Sequence, residues 1–565
     1  MSKFKRLLCA AIVVSLVFAL CACDLVEIYE PNSVTKENAY SYIDKFNIKV
    51  YDSKLIKGEI PVQAPHSEVP DQSMFMYELP DVANYDLDVK GNADVDVEIF
   101  IPIENSDSSI REVVVDAAKK FNAEGITLSD SDKKVSVSIR CLESSLAEEY
   151  ILNGTYYPKG YIAANELYGI LMNENGIKVS NIQNKTIGNT MGIVIAKNKY
   201  DELMNKYGEV NINTIVKANE AGDVSVGYTN PTNNPTGLNF VISMLSYFDA
   251  NNPTSMEATT DFSNFQNTVS AVSYSTQQMK QSVEKGIIDA FVVERQAYES
   301  DNNMKTNFVF VPFGVRHDNP LYSVGEVSAE ELQVLKLFGT YLLNDSVQQY
   351  ATSLGFNKDE NYESTVANYS GGMISEILEF WKQGKASGKK IVAVFVADKS
   401  GSMSGRKMTA LKDSLKNAMQ YVGEENKVGL LSYNSYVYID LPISEFTVEQ
   451  QEYFVGAIDS WDADGGTATN NALLIALKLI EEERQKDSSI KPIIILLSDG
   501  YTGSGYSLDS MRELIDVCDV PIYTIGYEAD VKELERIAEI NEGTFINATS
   551  DDVAYILKTL FDAEM

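Results

Sequence analysis

Histidine is almost missing from this chain: His66 and His317 are the only two in 565 residues. They lie far apart, so neither an HExxH zinc site nor a histidine-based triad can be built from the sequence, and no Walker phosphate loop is present. Cysteine is nearly as scarce. Of Cys9, Cys21, Cys23, Cys141 and Cys518, three sit at the N-terminus and the other two fall in what the pattern reads as different domains. No disulfide framework or zinc cage can be made from that supply. Positive charge is also short, with 47 Lys and Arg against 81 Asp and Glu and a formal net charge of −34. Such an excess repels nucleic acid and an anionic bilayer surface, while it favours solubility and divalent cations. The usual hydrolase chemistries are therefore poorly supplied.

What is present begins with a targeting pattern. Lys3, Lys5 and Arg6 precede sixteen uncharged residues, Leu7 to Ala22, a run shorter than the about 20 a spanning helix needs. Residues 1–22 thus read as a secretory signal. Leu20-Cys21-Ala22-Cys23 resembles a bacterial lipobox with Cys23 as the lipidated residue, although Cys21 inside the box is unusual; the alternative is a plain cleaved signal and a free secreted protein. Lipidation at Cys23 would tether the chain outside the cell membrane, since two or more acyl chains hold a protein stably on a bilayer. Without the signal, 543 residues remain at a formal charge of −37, because the three basic residues leave with it. That length suffices for two or three domains.

Residues 23–91 are acidic and punctuated by Pro31, Pro61, Pro65, Pro70 and Pro80. Proline at these intervals limits helices, so the segment reads as a lipid anchor followed by a spacer or wrapping segment. From about residue 92 the pattern alternates strand and helix up to residue 386: strand Val95–Ile101, helix Ile110–Phe121, strand Val135–Cys141, and later strand Val224–Tyr228 running into the turn Asn234-Pro235-Thr236-Gly237. Alternation over this length implies a doubly wound architecture of two lobes. The opening strand, serine-rich loop and helix, the Asn-Pro-Thr-Gly turn, the Lys285 to Glu294 stretch and the closing Ser328 to Phe356 segment resemble a type II periplasmic solute-binding protein. That resemblance implies a ligand cleft lined by Ser106, Ser108, Ser109, Thr190, Thr236, Gly237 and Glu294. Ser and Thr at these places are equally the expected helix N-caps, and the fold can also be kept as a scaffold.

Residues 387–565 form a second α/β pattern centred on Ile391-Val-Ala-Val-Phe-Val-Ala-Asp398-Lys-Ser400-Gly-Ser402. A buried strand that breaks into a carboxylate and two hydroxyls delivers oxygen ligands at its carboxyl end, where open α/β sheets bind ligands. Thr467, after two glycines, and Asp499, after the strand Ile493–Leu497, could reach the same rim. This Asp-x-Ser-x-Ser, Thr and Asp set resembles the metal-ion-dependent adhesion site of the von Willebrand factor A (VWA) family. The chemistry suits Mg²⁺, or Mn²⁺ or Ca²⁺, because all five are hard oxygen donors. The resemblance implies an open coordination position filled by a carboxylate of a protein partner. Asp462 and Asp464 lack the remaining ligands of a calcium loop and read as rim residues beside Thr467.

The expected fold class is thus α/β, with a two-lobed solute-binding-like domain followed by a doubly wound, Rossmann-like VWA domain. The expected function is a cell-surface lipoprotein, not an enzyme, that binds a protein partner through the metal while the middle domain senses a small ligand or acts as scaffold. The alternative is the solute-receiving lipoprotein of an ABC-type importer.

Overall fold

The computed structural model describes residues 34–548, apart from 36–37, 53–78, 104–108, 274, 365, 367–368, 386–389, 420–421, 424–425, 501, 528–531 and 542, and adds residues 555, 557 and 560. The signal, Cys23, His66, Ser106 and Ser108 lie outside the described residues. The chain divides into two compact units, one of residues 1–69 with 389–554, the other of 70–388 with 555–565.

In chain order, the first unit begins with helix α1 (Ala39–Ile43) and strand β1 (Val50–Asp52). The second unit follows as two lobes. The first lobe contains β2 (Val95–Ile103), β3 (Val135–Glu143), β4 (Gly160–Ile162) and β5 (Val179–Gln183). The second contains β6 (Thr190–Ala196), β7 (Val226–Thr229), β8 (Ala271–Ser273), β9 (Ala290–Glu294) and β10 (Phe308–Arg316), and β11 (Leu321–Val324) returns to the first lobe. The sheets are ordered β3-β2-β4-β11-β5 and β10-β6-β9-β7-β8. β2 runs parallel to β3, Val95 opposite Val135 through Ile103 opposite Glu143, and the helix α2 (Ser109–Ala123) makes the crossover. Helices cover both faces of such a sheet, so Ile99 to Ile103 are all buried, a continuous apolar run rather than an alternation.

Four more helices matter here: α3 (Ser144–Leu152), α4 (Glu166–Glu174), α5 (Pro235–Phe248) and α6 (Met256–Gln266). The chain passes between the sheets at 184–189 and again at 317–320. These crossings lie side by side, with Thr186 N–H donating to Asp318 O at 3.1 Å and His317 N–H to Asn189 O at 3.2 Å. Beyond the two lobes lies the helix α7 (Gly371–Lys385). Tyr555, within the region read as the last domain, belongs to this second unit; its hydroxyl lies 3.1 Å from Ser145 Oγ at the start of α3.

The first unit resumes with β12 (Ile391–Asp398), β13 (Lys427–Tyr433), β14 (Val437–Glu445), β15 (Lys491–Ser498), β16 (Ile522–Tyr527) and β17 (Phe545–Ala548). Its helices include α8 (Arg406–Ala418), α9 (Thr469–Lys486) and α10 (Arg512–Cys518). The sheet order is β1-β14-β13-β12-β15-β16-β17. β12 is central and parallel to both neighbours, and all eight of its residues are buried. β14 is antiparallel to β13 and is covered in turn by β1, which pairs with it in parallel, Val50 opposite Val437.

Residues inside the stretch read as spacer therefore complete this unit. Val34, Ala39, Ile43 and Phe46 are buried in the same core as Val394, Ile494 and Leu477. Tyr40 donates to Glu482 at 3.1 Å, Lys478 pairs with Asp44 at 2.5 Å, and the Phe46 ring packs edge-on to Tyr506 at 4.8 Å. A helix of five residues is too short to show a 3.6-residue period in sequence, which is why the pattern concealed it. Phe46→Ala is expected to destabilise this unit by about 3–5 kcal/mol. Hydrogen exchange should quicken in β14 and α9 and stay unchanged in β2 to β11; equal protection throughout would show that the segment adds nothing.

Candidate functional site

β12 ends at Asp398, and its carboxyl end faces three loops that are laced together by backbone. Asp464 N–H donates to Lys399 O at 3.0 Å and Gly401 N–H to Gly465 O at 3.1 Å, which joins the Asp398 loop to the Thr467 loop. Gly503 and Ser504 N–H donate to Thr467 O at 3.1 and 3.0 Å, which joins that loop to the one after Asp499. Gly465 takes φ +75°, a left-handed conformation that suits glycine, with the Asn434 and Ser435 side chains 3.2–3.4 Å from where a Cβ would sit.

The side chains converge accordingly. Asp398 is fully buried and Asp499 only 7% exposed; Ser400 and Thr467 are buried too. Asp398 Oδ1 accepts from Ser400 N–H at 2.8 Å, and Oδ2 accepts from Ser498 Oγ–H at 2.7 Å. Ser400 Oγ lies 2.9 Å from Ser402 Oγ, which donates to Asp499 Oδ1 at 3.1 Å. Asp499 Oδ2 pairs with Lys407 Nζ at 3.1 Å, from the first turn of α8. Burial pushes the Asp398 carboxyl up to about 6; the bonds from Ser400 and Ser498 oppose the rise and the neighbouring Asp499 adds to it.

Two carboxylates and the hydroxyls of Ser400 and Ser402 thus gather at one rim, the backbone of the neighbouring loop brings buried Thr467 to the same end of the sheet, and one carboxylate is held ionised only at a cost. A divalent cation would relieve that cost, and the oxygen-only set fits Mg²⁺ or Mn²⁺. Among the described residues no group of three or more His, Cys, Asp or Glu side chains gathers, in keeping with a set in which hydroxyls outnumber carboxylates. Asp464 accepts from Asn434 Nδ2 at 2.6 Å and so belongs to the rim, as expected. Lys407 and Ser498 were not apparent from sequence. Ser498 precedes Asp499 directly, which is the signal that could have found it; Lys407 depends on how α8 leaves the loop.

In the second unit, the residues implied as cleft ligands are bonded within the protein. Ser109 Oγ accepts from Gln296 Nε2 at 2.7 Å, linking the first lobe to the second. Thr190 is fully buried; its N–H donates to Asn189 Oδ1 at 2.9 Å and its hydroxyl lies 3.4 Å from Arg316. Thr236 and Gly237 donate their N–H groups to Asn234 Oδ1 at 2.9 and 3.4 Å, and a Cβ on Gly237 would lie 1.9 Å from Thr229 O. Glu294 accepts from Asn189 Nδ2 at 2.8 Å and meets His317 Nδ1 at 2.6 Å. The structure brings Thr190 and Glu294 to one junction and leaves Thr236 and Gly237 at a capped helix start.

His317, read from sequence only as one of two histidines, is the hub of that junction. Its Nε2 faces Asn165 Nδ2 at 3.1 Å and Asn239 Nδ2 at 2.8 Å. The oxygens of those amides are taken by Leu167 N–H and Val315 N–H, so both amides present donors and Nε2 must accept. The proton therefore sits on Nδ1 and is donated to Glu294. Asn165 caps α4 in the first lobe and Asn239 belongs to α5 in the second, so one buried ring holds both lobes.

Helix α7 spans the same two lobes. At its start a Cβ on Gly371 would lie 2.2 Å from Glu174 Cβ and 2.9 Å from Ile170 O, so it rests closely on α4, and Tyr369 just before it bonds Glu166. At its far end buried Trp381 donates its indole N–H to Tyr228 OH at 2.9 Å, and Phe380 meets Phe262 of α6 at 6.1 Å.

Residues 393–563 match the von Willebrand factor type A domain, and residues 105–357 match the bacterial extracellular solute-binding protein family. The chain carries one domain of each family. The inter-alpha-trypsin inhibitor heavy chain H4 of Bos taurus is 33% identical over 164 residues, 26% of this chain and 18% of that protein. The voltage-dependent calcium channel subunit alpha-2/delta-4 of Homo sapiens is 27% identical over 192 residues, 32% of this chain and 17% of that protein. The chain thus spans less than a fifth of the length of these curated relatives. Among solved structures, von Willebrand factor type A from Catenulispora acidiphila is 22% identical with a TM-score of 0.29, covering 31% of this chain and 42% of that one. Iron-bound HitA from Pseudomonas aeruginosa is 10% identical with a TM-score of 0.37, covering 52% and 99%. The α7 helix lies beyond the matched part of the solute-binding domain, as α1 and β1 lie before the matched part of the VWA domain.

Asp398 in the folded chain titrates near 6, above the ordinary value of about 3.9. In the metal-free protein its ionised form weakens the fold at neutral pH, and that loss is relieved as pH falls from about 6 towards 4. A Mg²⁺ ion held at Asp398 would compete with the same proton, so its affinity would fall by about tenfold between pH 6.5 and 5; calorimetry that finds binding without pH dependence contradicts this. In the solute-binding domain, Trp381→Ala should cost about 3–5 kcal/mol and Trp381→Phe, which loses chiefly the hydrogen bond, about 1 kcal/mol. Urea unfolding that ranks the two variants equally would remove the packing role assigned to the ring.

Proposed function

We propose that this protein is an extracytoplasmic lipoprotein, anchored through Cys23, whose VWA domain binds a protein partner in a divalent-cation-dependent manner. The observation that carries this reading is the convergence of Asp398, Ser400, Ser402, Thr467 and Asp499 on one rim, with Asp398 buried and bonded only by neutral donors. A cation held there supplies a coordination position for a carboxylate of the partner. The chain's own residues prepare the place: Ser498 and the Ser400 N–H orient Asp398, Ser402 orients Asp499, and Lys407 neutralises Asp499 until metal takes over that role.

The solute-binding domain fits the part of a scaffold in this reading. Its expected ligand positions among the described residues are bonded internally, and His317 and α7 tie its lobes together. The two families together support an interaction or scaffold role, and extracellular solute-binding relatives support a location outside the cytoplasm.

Titrating Mg²⁺ and Mn²⁺ by calorimetry into the soluble chain from Asp24 tests the reading. Saturable binding is expected, abolished by Asp398→Ala with unchanged circular dichroism. Lys407→Gln, which frees Asp499 from its cation, should bind about three- to tenfold more tightly. Absence of binding in the wild-type chain, or binding that survives Asp398→Ala, would sink the proposal.

A further inference from the structure

Beside the rim at the carboxyl end of β12 the VWA unit exposes an aromatic patch that its N-terminal segment helps to build. Val50, Tyr51 and Tyr436 are 37%, 42% and 42% exposed. The Tyr51 ring stands edge-on to Tyr436 at 5.5 Å and lies 5.9 Å from Tyr438. Lys49 Nζ is 5.9 Å from the centre of the Tyr436 ring, and Lys399 Nζ is 3.6 Å from that of Tyr438. Lys49 and Tyr51 precede the matched part of the domain, whereas Tyr436 and Tyr438 come from the turn before β14 and from its start.

The patch is continuous with the rim. Lys399 follows Asp398 directly, and its N–H donates to Tyr433 O at 2.8 Å. The turn that carries Tyr436 is fixed to the Thr467 loop: Gly466 N–H donates to Ser435 Oγ at 2.8 Å, and Tyr436 N–H donates at 3.0 Å to Asn434 Oδ1, whose amide nitrogen holds Asp464. Across the strands Asp398 lies opposite Tyr433, Tyr433 opposite Val437 and Val437 opposite Val50. Three strand spacings of about 4.8 Å put Val50, on the far side of the patch, about 14 Å from Asp398.

Two properties decide what this surface takes. Tyrosine rings already packed on one another lose little freedom on binding and offer a broad apolar face, which is the composition of an interface anchor. The charge beside them is positive in a chain whose formal charge is −34. Lys49 pairs with no carboxylate among the described residues. The neighbouring acids do not cancel it: Asp464 is held by Asn434, Asp440 is buried within range of the Lys399 charge, and Asp52 alternates with Tyr51 to the opposite face of the sheet.

We infer that this patch is the second half of the surface that receives the protein partner, and that the partner presents an acidic, extended segment. One carboxylate of the segment completes the cation at Asp398, an apolar or aromatic residue about four positions away rests on Tyr51 and Tyr436, and a further acidic residue meets Lys49. Extended chain advances about 3.3 Å per residue, so about four residues span the interval from the cation to the rings. The inference deepens the proposed metal-dependent binding and rests on it.

A phage library of random peptides is selected on the soluble chain from Asp24 in Mg²⁺. The enriched peptides should be net acidic and should pair an acidic residue with an aromatic or large aliphatic one about four positions away. Their affinity, read by fluorescence polarisation, should be lost in Asp398→Ala and fall about tenfold or more in Tyr51→Ser and in Tyr436→Ser. Both tyrosines are exposed, so these variants should keep wild-type Mg²⁺ binding by calorimetry. Lys49→Glu should weaken the acidic peptides and be rescued when the peptide's second acid is exchanged for Lys. Normal Mg²⁺ binding with peptides that ignore both tyrosine changes overturns the patch. A basic or uncharged enriched set, or no enrichment, overturns the partner class. Absence of Mg²⁺ binding in the wild-type chain overturns the metal reading and the inference with it, and calorimetry thereby tells the failures apart.

Discussion

The buried carboxylate of Asp398 is the constraint on which the rim at the carboxyl end of β12 depends. It stands at the end of a strand covered on both faces and flanked on both sides, so water cannot hydrate it, and burial raises the cost of its charge. Ser400 and Ser498 stabilise that charge only in part. A second carboxylate, Asp499, is brought to the same rim and adds to that cost even though Lys407 pairs with it. The arrangement stores an unmet demand for positive charge in a rim of hard oxygen donors, and the three loops are braced by backbone bonds so that the donors cannot easily turn away.

The solute-binding domain shows the opposite economy of polar groups. Where the VWA rim leaves a charge incompletely compensated, the junction between the lobes satisfies nearly every donor and acceptor internally. His317 illustrates the logic: two amide donors face Nε2, one carboxylate faces Nδ1, and the ring can serve all three in a single tautomer. Buried polar networks that are fully paired specify one arrangement of the parts they join. With α7 resting on α4 at one end and held by Tyr228 at the other, the lobes are linked by an element that lies beyond the matched residues 105–357. These contacts hold the two lobes of the domain in one arrangement.

Much of this was legible in the chain itself. The run Ile391 to Ala397 announced a central strand, and Asp398, Ser400 and Ser402 followed it at once because ligand residues in such sheets sit where strand gives way to loop. Thr467 and Asp499 were placed by the same rule and fall on the same rim. The lobed alternation of the middle region was equally visible, and most of its strands and helices lie within a few residues of the expected bounds, as with Val95–Ile103 and Ser109–Ala123. The polar residues named as cleft positions also sit where that rule puts them, with partners the chain did not announce: Thr236 and Gly237 occupy a helix start that Asn234 caps, and Glu294 ends a strand and meets His317.

The sequence by itself determined the two α/β patterns, the oxygen set at the carboxyl end of the central strand and the acidic balance, because strand period, turn chemistry and charge are written in neighbouring residues. Tertiary structure alone decided that residues 34–52 complete the C-terminal domain, that β14 is covered by β1, that Lys407 meets Asp499 and that a lone histidine joins two lobes. Each of these is a meeting of segments distant in the chain, such as Val50 with Val437, and no local period or spacing encodes which distant segment a short strand or a single polar side chain will find.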